Sequence, residues 1–149
     1  MSHPPLRFVF VYGTLRRGEE RDINLLHPAP EAIACASVEG QLYDLGSYPG
    51  LRLGGAGRVE GEVYAISPAL ERRLDEIEEV WPEPGGEYVR REVAVRLNPS
   101  LDDASTPGAV IDANLFCLVY EATPEAVNGR PAIAGGDWVA YRQRLGPSA

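Results

Sequence analysis

The sequence predicts an α+β domain built on a small, strongly curved, mixed β-barrel, mostly antiparallel, with one or two flanking helices. Segments with strand patterning outnumber those with helical patterning. Several are joined by turns too short for regular βαβ alternation, which leaves a curved sheet approaching a barrel. No GxGxxG is present, and the first strand is not followed by a long amphipathic helix, so a doubly wound nucleotide-binding sheet is excluded. The expected organisation is one domain over residues 1–149, with its core at about 6–145.

The first strand is the apolar, β-branched and aromatic run Phe8-Val9-Phe10-Val11, which stops at Tyr12-Gly13-Thr14-Leu15-Arg16-Arg17-Gly18. Glycine at a strand end lets the main chain approach a ligand closely, and the next amide N–H groups lose their sheet partners. Such a loop can cradle a carboxylate or an oxyanion, although an ordinary strand-end turn accounts for the same residues taken alone. Gly18 to Leu26 reads as a charged loop with room for one helical turn before Pro28-Ala29-Pro30, and Ala32 to Asp44 reads as a strand with Gly40 a candidate bulge. Gly46 to Gly57, containing Tyr48-Pro49-Gly50, is expected to be glycine-rich surface loop. Val59 to Ile66 alternates as a strand. Ser67-Pro68 starts a helix expected to run to Val80 or Trp81 before Pro82 stops it. Tyr88 to Leu97 has Val89, Val93, Val95 and Leu97 at period two, Asn98 to Gly108 is polar loop, and Ala113 to Ala122 is a last strand. The segment after Thr123-Pro124 is read as irregular, with Asp137 capping a short final helix through Leu145.

Apolar residues make up 44% and charged residues 24%, proportions of an ordinary globular chain. No apolar run approaches the roughly 20 residues needed to span a bilayer, and Met1-Ser2-His3-Pro4-Pro5 lacks an export signal, so a cytoplasmic chain with no membrane partner is expected. A net charge of −8 disfavours nucleic acid and anionic membrane. All 14 basic residues are arginine, which excludes a Schiff-base lysine, a phosphate-loop lysine and a Ser-Lys nucleophile pair. Cys35 and Cys117 fit no CxxC pattern and read as buried free thiols. His3 and His27 have no partner at ligand spacing, so neither a metal site nor a cofactor is expected.

The helix from Pro68 carries five acids, Glu71, Asp75, Glu76, Glu78 and Glu79. At roughly 100° per residue, Leu70, Leu74, Ile77 and Trp81 form the apolar stripe, and Asp75, Glu76 and Glu79 point away from it. Glu71 falls in the first turn, where the helix dipole explains it. Glu78 lies about 60° from the stripe's centre, at the margin of the core. Partial loss of hydration there raises a carboxyl pKa toward the range where it can take and return a proton near neutral pH. Glu78 is thus the candidate general acid/base, the alternative being a structural carboxylate bonded to Arg90, Arg91 or a backbone amide.

The order Tyr12-Gly13-Thr14-Leu15, then Leu74-Asp75-Glu76-Ile77-Glu78, then Tyr88-Val89-Arg90 resembles the γ-glutamylcyclotransferase-like family, including its AIG2-like and γ-glutamylamine cyclotransferase groups. Leu42-Tyr43-Asp44-Leu45-Gly46, Tyr48-Pro49-Gly50, Val59-Glu60-Gly61-Glu62-Val63-Tyr64 and Gly135-Gly136-Asp137-Trp138 extend the resemblance over about residues 8 to 142. It implies a small β-barrel with flanking helices and a cavity at one end. That cavity would be lined by Tyr12, Gly13, Thr14 and Leu15 and by Tyr88, with Glu78 as acid and base. Glu79 departs from the glycine usual after the catalytic glutamate; a second carboxylate there can raise the pKa of Glu78 or mark a changed substrate or lost activity.

The implied reaction is the cyclisation of a γ-glutamyl amide to 5-oxoproline, with release of an amine or amino acid. The substrate carries its own nucleophile, an α-amine that closes a five-membered ring onto the γ-carbonyl, so no enzyme nucleophile, metal or cofactor is required. The partner implied is a small γ-glutamyl molecule, and neither its identity nor the oligomeric state is legible in the residues. The rival reading is a non-catalytic module that binds a small carboxylate metabolite. A scaffold in which the loop and Glu78 are both structural is a third.

Overall fold

The computed structural model describes residues 7–19, 22–46, 48–77, 88–98 and 114–145. Strand β1 (Arg7–Val11) leads through the loop and a 3-10 turn at Ile23–Leu25 into β2 (Glu31–Asp44) and β3 (Pro49–Ile66). Helix α1 (Pro68–Ile77) follows, then β4 (Tyr88–Asn98), β5 (Asn114–Ala122), α2 (Pro124–Val127), β6 (Ala132–Ile133) and α3 (Trp138–Leu145). Ser67 starts α1 as expected, its hydroxyl accepting from the Leu70 N–H at 3.1 Å. Asp137 likewise caps α3 through the Ala140 N–H at 3.1 Å. The expected end of α1 at Val80 or Trp81 and the polar loop after Asn98 lie outside the described residues. None of the described helices is long and apolar enough to cross a membrane.

The sheet order is β3-β1-β5-β4-β2-β6, and β3 also pairs with β2, so five strands close into the expected mixed barrel with β6 outside the closure. All ladders are antiparallel except β1 with β5. Alternate residues of one strand enter two different cores, as the pleat demands. Phe10 of β1, Tyr12 just beyond it and Cys117 and Val119 of β5 fill an inner cluster that α3 completes with Trp138. Val9 and Val11 of β1 and Leu118, Tyr120 and Ala122 of β5 face outward, where Leu70 and Leu74 of α1 cover them.

Four expectations are corrected. The stretch Gly46 to Gly57 is mostly strand: β3 pairs with β2 from Asp44↔Pro49 onward, and the register then jumps from Gly40↔Leu53 to Glu39↔Arg58. The residues skipped by that jump form a wide bulge, which Gly54 and Gly55 permit at φ +92° each. Cys117 is buried, its thiol pushed up to about 12 by burial, but Cys35 is exposed. Ala36 and Val38 take the inner face of β2, so pleat parity turns Cys35 outward. The segment after Thr123-Pro124 is ordered as α2, with the Thr123 hydroxyl capping Ala126 N–H at 3.2 Å, and β6 follows. Finally, Asp75 does not point away from the core; it is buried.

Candidate functional site

Strand β1 lies between β3 and β5 and its ladder ends at Val11↔Glu62. Beyond that point the gap is bridged by a side chain. The Tyr12 hydroxyl donates to the Tyr120 carbonyl of β5 at 2.6 Å and accepts from the Leu51 N–H of β3 at 3.3 Å. One phenol thus stands in for a ladder hydrogen bond that β1 no longer supplies. Tyr12→Phe removes a hydroxyl that serves a buried N–H and a buried carbonyl together, so an expected loss of about 1–3 kcal/mol follows. Chemical denaturation of the two proteins measures it, and a loss under about 0.5 kcal/mol contradicts the bridge.

The next residues turn sharply. Arg16 N–H returns to the Gly13 carbonyl at 3.0 Å, and the Leu15 carbonyl accepts from Ile23 N–H at 2.9 Å. Gly13 is buried against Pro49; a Cβ there would stand 2.5 Å from Pro49 Cγ, inside any real contact distance. Only glycine fits this close approach. Among the described residues, no hydrogen bond takes the N–H of Gly13, Thr14 or Leu15. Arg17 and Gly18, by contrast, donate theirs to Glu62 and Asp22, at 3.0 and 2.8 Å. The sequence expectation of unpaired amides after the strand therefore falls on these three.

Tyr48-Pro49-Gly50 is the corner of the β2–β3 hairpin, closed by Leu45 N–H on the Tyr48 carbonyl at 3.0 Å. Tyr88, at the start of β4, donates its hydroxyl to the Pro49 carbonyl at 2.8 Å, and its ring lies 6.4 Å from that of Tyr48. Tyr12 and Gly13 on one segment and Tyr88 on another thus converge on Pro49–Leu51, although β1 and β4 are far apart in sequence. Thr14 is half-buried and Leu15 buried in the same loop. Glu78 and Glu79 lie outside the described residues.

Helix α1 presents Glu71 and Asp75 to the barrel, and their direction shows which way it is turned. Asp75 accepts from the Tyr120 hydroxyl at 2.7 Å and from Arg90 at 2.8 Å; Glu71 pairs with Arg7 at 2.9 Å and Arg90 at 2.5 Å. Ion pairing, not only the helix dipole, explains Glu71. The two carboxylates outweigh the burial that opposes its charge and raise the Arg90 pKa. Arg91 is engaged by Glu121 at 3.0 Å. Both arginines named as structural partners for Glu78 are therefore held by other acids. Glu78 continues the i, i+4, i+7 spacing of Glu71 and Asp75.

Sequence reasoning missed Asp75, Tyr120 and Glu62. The signal for Glu62 was available: it shares one strand face with Tyr64 and Ile66, both buried. Glu62 accepts from Arg16 Nε at 3.1 Å, Arg17 N–H at 3.0 Å and the Tyr64 hydroxyl at 2.7 Å. Arg16 also donates to Asp137 at 3.0 Å. Burial opposes the Arg16 charge, yet Glu62 and Asp137 outweigh it and raise its pKa. The loop's most buried cation is thus neutralised inside the protein, which leaves backbone amides as the loop's donors for an anion.

A mouse AIG2-like protein of known crystal structure superposes with a TM-score of 0.68 at 23% identity, covering 89% of this chain and 88% of that one, which is a likeness of fold. A Vibrio cholerae protein provisionally named γ-glutamylcyclotransferase is 44% identical over 72 residues, 48% of this chain and 62% of that protein. The γ-L-glutamyl-butirosin B γ-glutamyl cyclotransferase of Niallia circulans is 43% identical over 72 residues, 48% of this chain and 45% of that protein. The matched stretch thus spans less than two thirds of either relative. The family model for γ-glutamyl cyclotransferase, AIG2-like, matches residues 9–140, and the chain belongs to that family.

Proposed function

We propose that the protein is a cofactor-independent γ-glutamyl cyclotransferase that converts a γ-glutamyl amide to 5-oxoproline and a free amine or amino acid. The observation that carries this reading is the trio of unpaired amides at Gly13, Thr14 and Leu15, held against the Pro49 corner beside Tyr88. Family membership supplies the reaction class. Backbone N–H groups fixed before the reaction stabilise a carboxylate or a developing oxyanion without reorganising at the moment of bond formation. Glu78 removes a proton from the substrate α-ammonium, the freed amine attacks the γ-carbonyl, and the acid returns that proton to the leaving nitrogen as the C–N bond breaks and the ring nitrogen gives up its second proton to solvent. Tyr12 and Tyr88 fix the walls on either side of the amide loop.

The test is incubation of purified protein with glutathione, γ-glutamyl amino acids and γ-glutamylamines, with 5-oxoproline as the readout. γ-L-Glutamyl-butirosin B belongs on the panel because one relative is named for that compound. Production of 5-oxoproline from at least one class is expected. Silence across the panel, combined with saturable binding of 5-oxoproline, would favour the binding module instead.

A further inference from the structure

We propose that Glu62 is the positioning residue for the amide loop, holding Gly13, Thr14 and Leu15 in register for substrate; the inference rests on the cyclotransferase reading. Its carboxylate reaches the loop twice, through Arg17 N–H at 3.0 Å and Arg16 Nε at 3.1 Å. Three backbone hydrogen bonds brace the loop, Arg16 N–H to the Gly13 carbonyl, Ile23 N–H to the Leu15 carbonyl and Glu19 N–H to the Arg16 carbonyl, and none of them uses the N–H of residues 13 to 15. Acceptors outside the turn fix the next two amides, those of Arg17 and Gly18.

Those acceptors form a closed circuit. From Arg17 N–H the path runs to Glu62 Oε1, to which the Tyr64 hydroxyl also donates at 2.7 Å. Asn24 Nδ2 donates to that hydroxyl at 3.2 Å and to Asp22 Oδ1 at 2.8 Å, and Asp22 Oδ2 accepts from Gly18 N–H. Adjacent amides 17 and 18 are thus tied to both ends of one side-chain chain. Burial and the neighbouring Glu62 push Tyr64 up to about 12, so its proton stays in place to donate. Arg16 carries the same clamp to α3 through Asp137, which caps that helix. Strand β3 and the cap of helix α3 therefore both fix where the free amides stand, and neither accepts from their N–H groups.

The experiment compares wild type with Glu62→Gln, which keeps size but loses the charge and one acceptor, and with Tyr64→Phe, which removes only the hydroxyl that steadies Glu62. Backbone ¹⁵N relaxation should show order parameters for residues 13–18 falling from about 0.85 to below about 0.6 in Glu62→Gln, with β1 unchanged. Steady-state 5-oxoproline formation should lose about 10–100-fold in kcat/KM, with a smaller loss in Tyr64→Phe and an unchanged pH profile. A loss carried by KM assigns the amides to a bound carboxylate; one carried by kcat assigns them to the oxyanion. Unchanged loop order, or kcat/KM within about twofold of an active wild type, overturns the role of Glu62 and leaves the cyclotransferase reading intact. Wild type that neither turns over the panel nor binds 5-oxoproline removes both.

Discussion

Glu78→Gln is expected to lower 5-oxoproline formation by about 10²–10⁴-fold, the ordinary worth of a positioned acid/base. The substitution keeps the shape of the side chain and removes only its capacity to carry a proton. Both halves of the reaction need that capacity: the α-ammonium is no nucleophile until deprotonated, and the amine is a poor leaving group until protonated. In the proposed mechanism binding is assigned to the amide loop instead, so KM should change little and the loss should fall on kcat. Circular dichroism and thermal unfolding must match wild type for the comparison to stand. Glu79→Gln is the companion control: if Glu79 acts only through its charge on Glu78, the acidic limb of the pH profile shifts while the maximum rate is retained. A folded Glu78→Gln enzyme with wild-type turnover sinks the acid/base assignment and leaves the amide loop to be explained as a binding feature.

The barrel was legible because its strands alternate, and alternation survives even where both faces are buried. Val59 and Val63 enter the inner cluster while Tyr64 and Ile66 enter the outer one, so period two marks the division between two cores. The same rule fails where glycine interrupts it. In Gly46 to Gly57 the glycine-rich composition suggests loop, yet the ladder continues on both sides of a bulge. Composition reports the bulge there, and cross-strand pairing, which is not local, decides the rest. Cys35 failed for a related reason: an apolar neighbourhood in sequence does not fix pleat parity, which the register with β3 sets.

The candidate site divides along the same line. Unpaired amides after Val11 follow from local chain geometry, and the structure places them where the run of residues said they would fall. What holds them does not follow locally. The Tyr12 bridge spans 108 residues to Tyr120, and the clamp on Arg16 spans 46 residues to Glu62 and 121 to Asp137. Pairings of that separation are products of barrel closure, so residue type and spacing within one element carry no trace of them.

Asp75→Ala is expected to cost about 2–4 kcal/mol, the largest stability loss among the substitutions considered. A helix centred on Leu70, Leu74, Ile77 and Trp81 turns Asp75 toward solvent. Observed burial instead extends from Leu70 and Leu74 round to Asp75, while Ile77 is only half-buried. The outer surface of the barrel supplies the reason: Tyr120 and Arg90 stand on adjacent strands β5 and β4, paired in register, and both donate to one carboxylate. An acid belongs against a sheet that offers two donors. Alanine leaves the buried Tyr120 hydroxyl without its acceptor and opens a cavity beneath α1. The Arg90 contribution is smaller, because that side chain is 36% exposed and keeps Glu71. Asp75→Asn separates the two effects, since an amide can accept from Arg90 and donate to the tyrosine oxygen, so about 1 kcal/mol is expected. Pairing Asp75→Ala with Tyr120→Phe in a double-mutant cycle should return a coupling of about 1–3 kcal/mol by denaturant unfolding. Additivity of the two losses would show that the carboxylate and the phenol are neighbours without being partners. In that case the burial of Asp75 would answer to Arg90 alone, and the anchor that precedes Glu78 by three residues would be an ion pair open to salt.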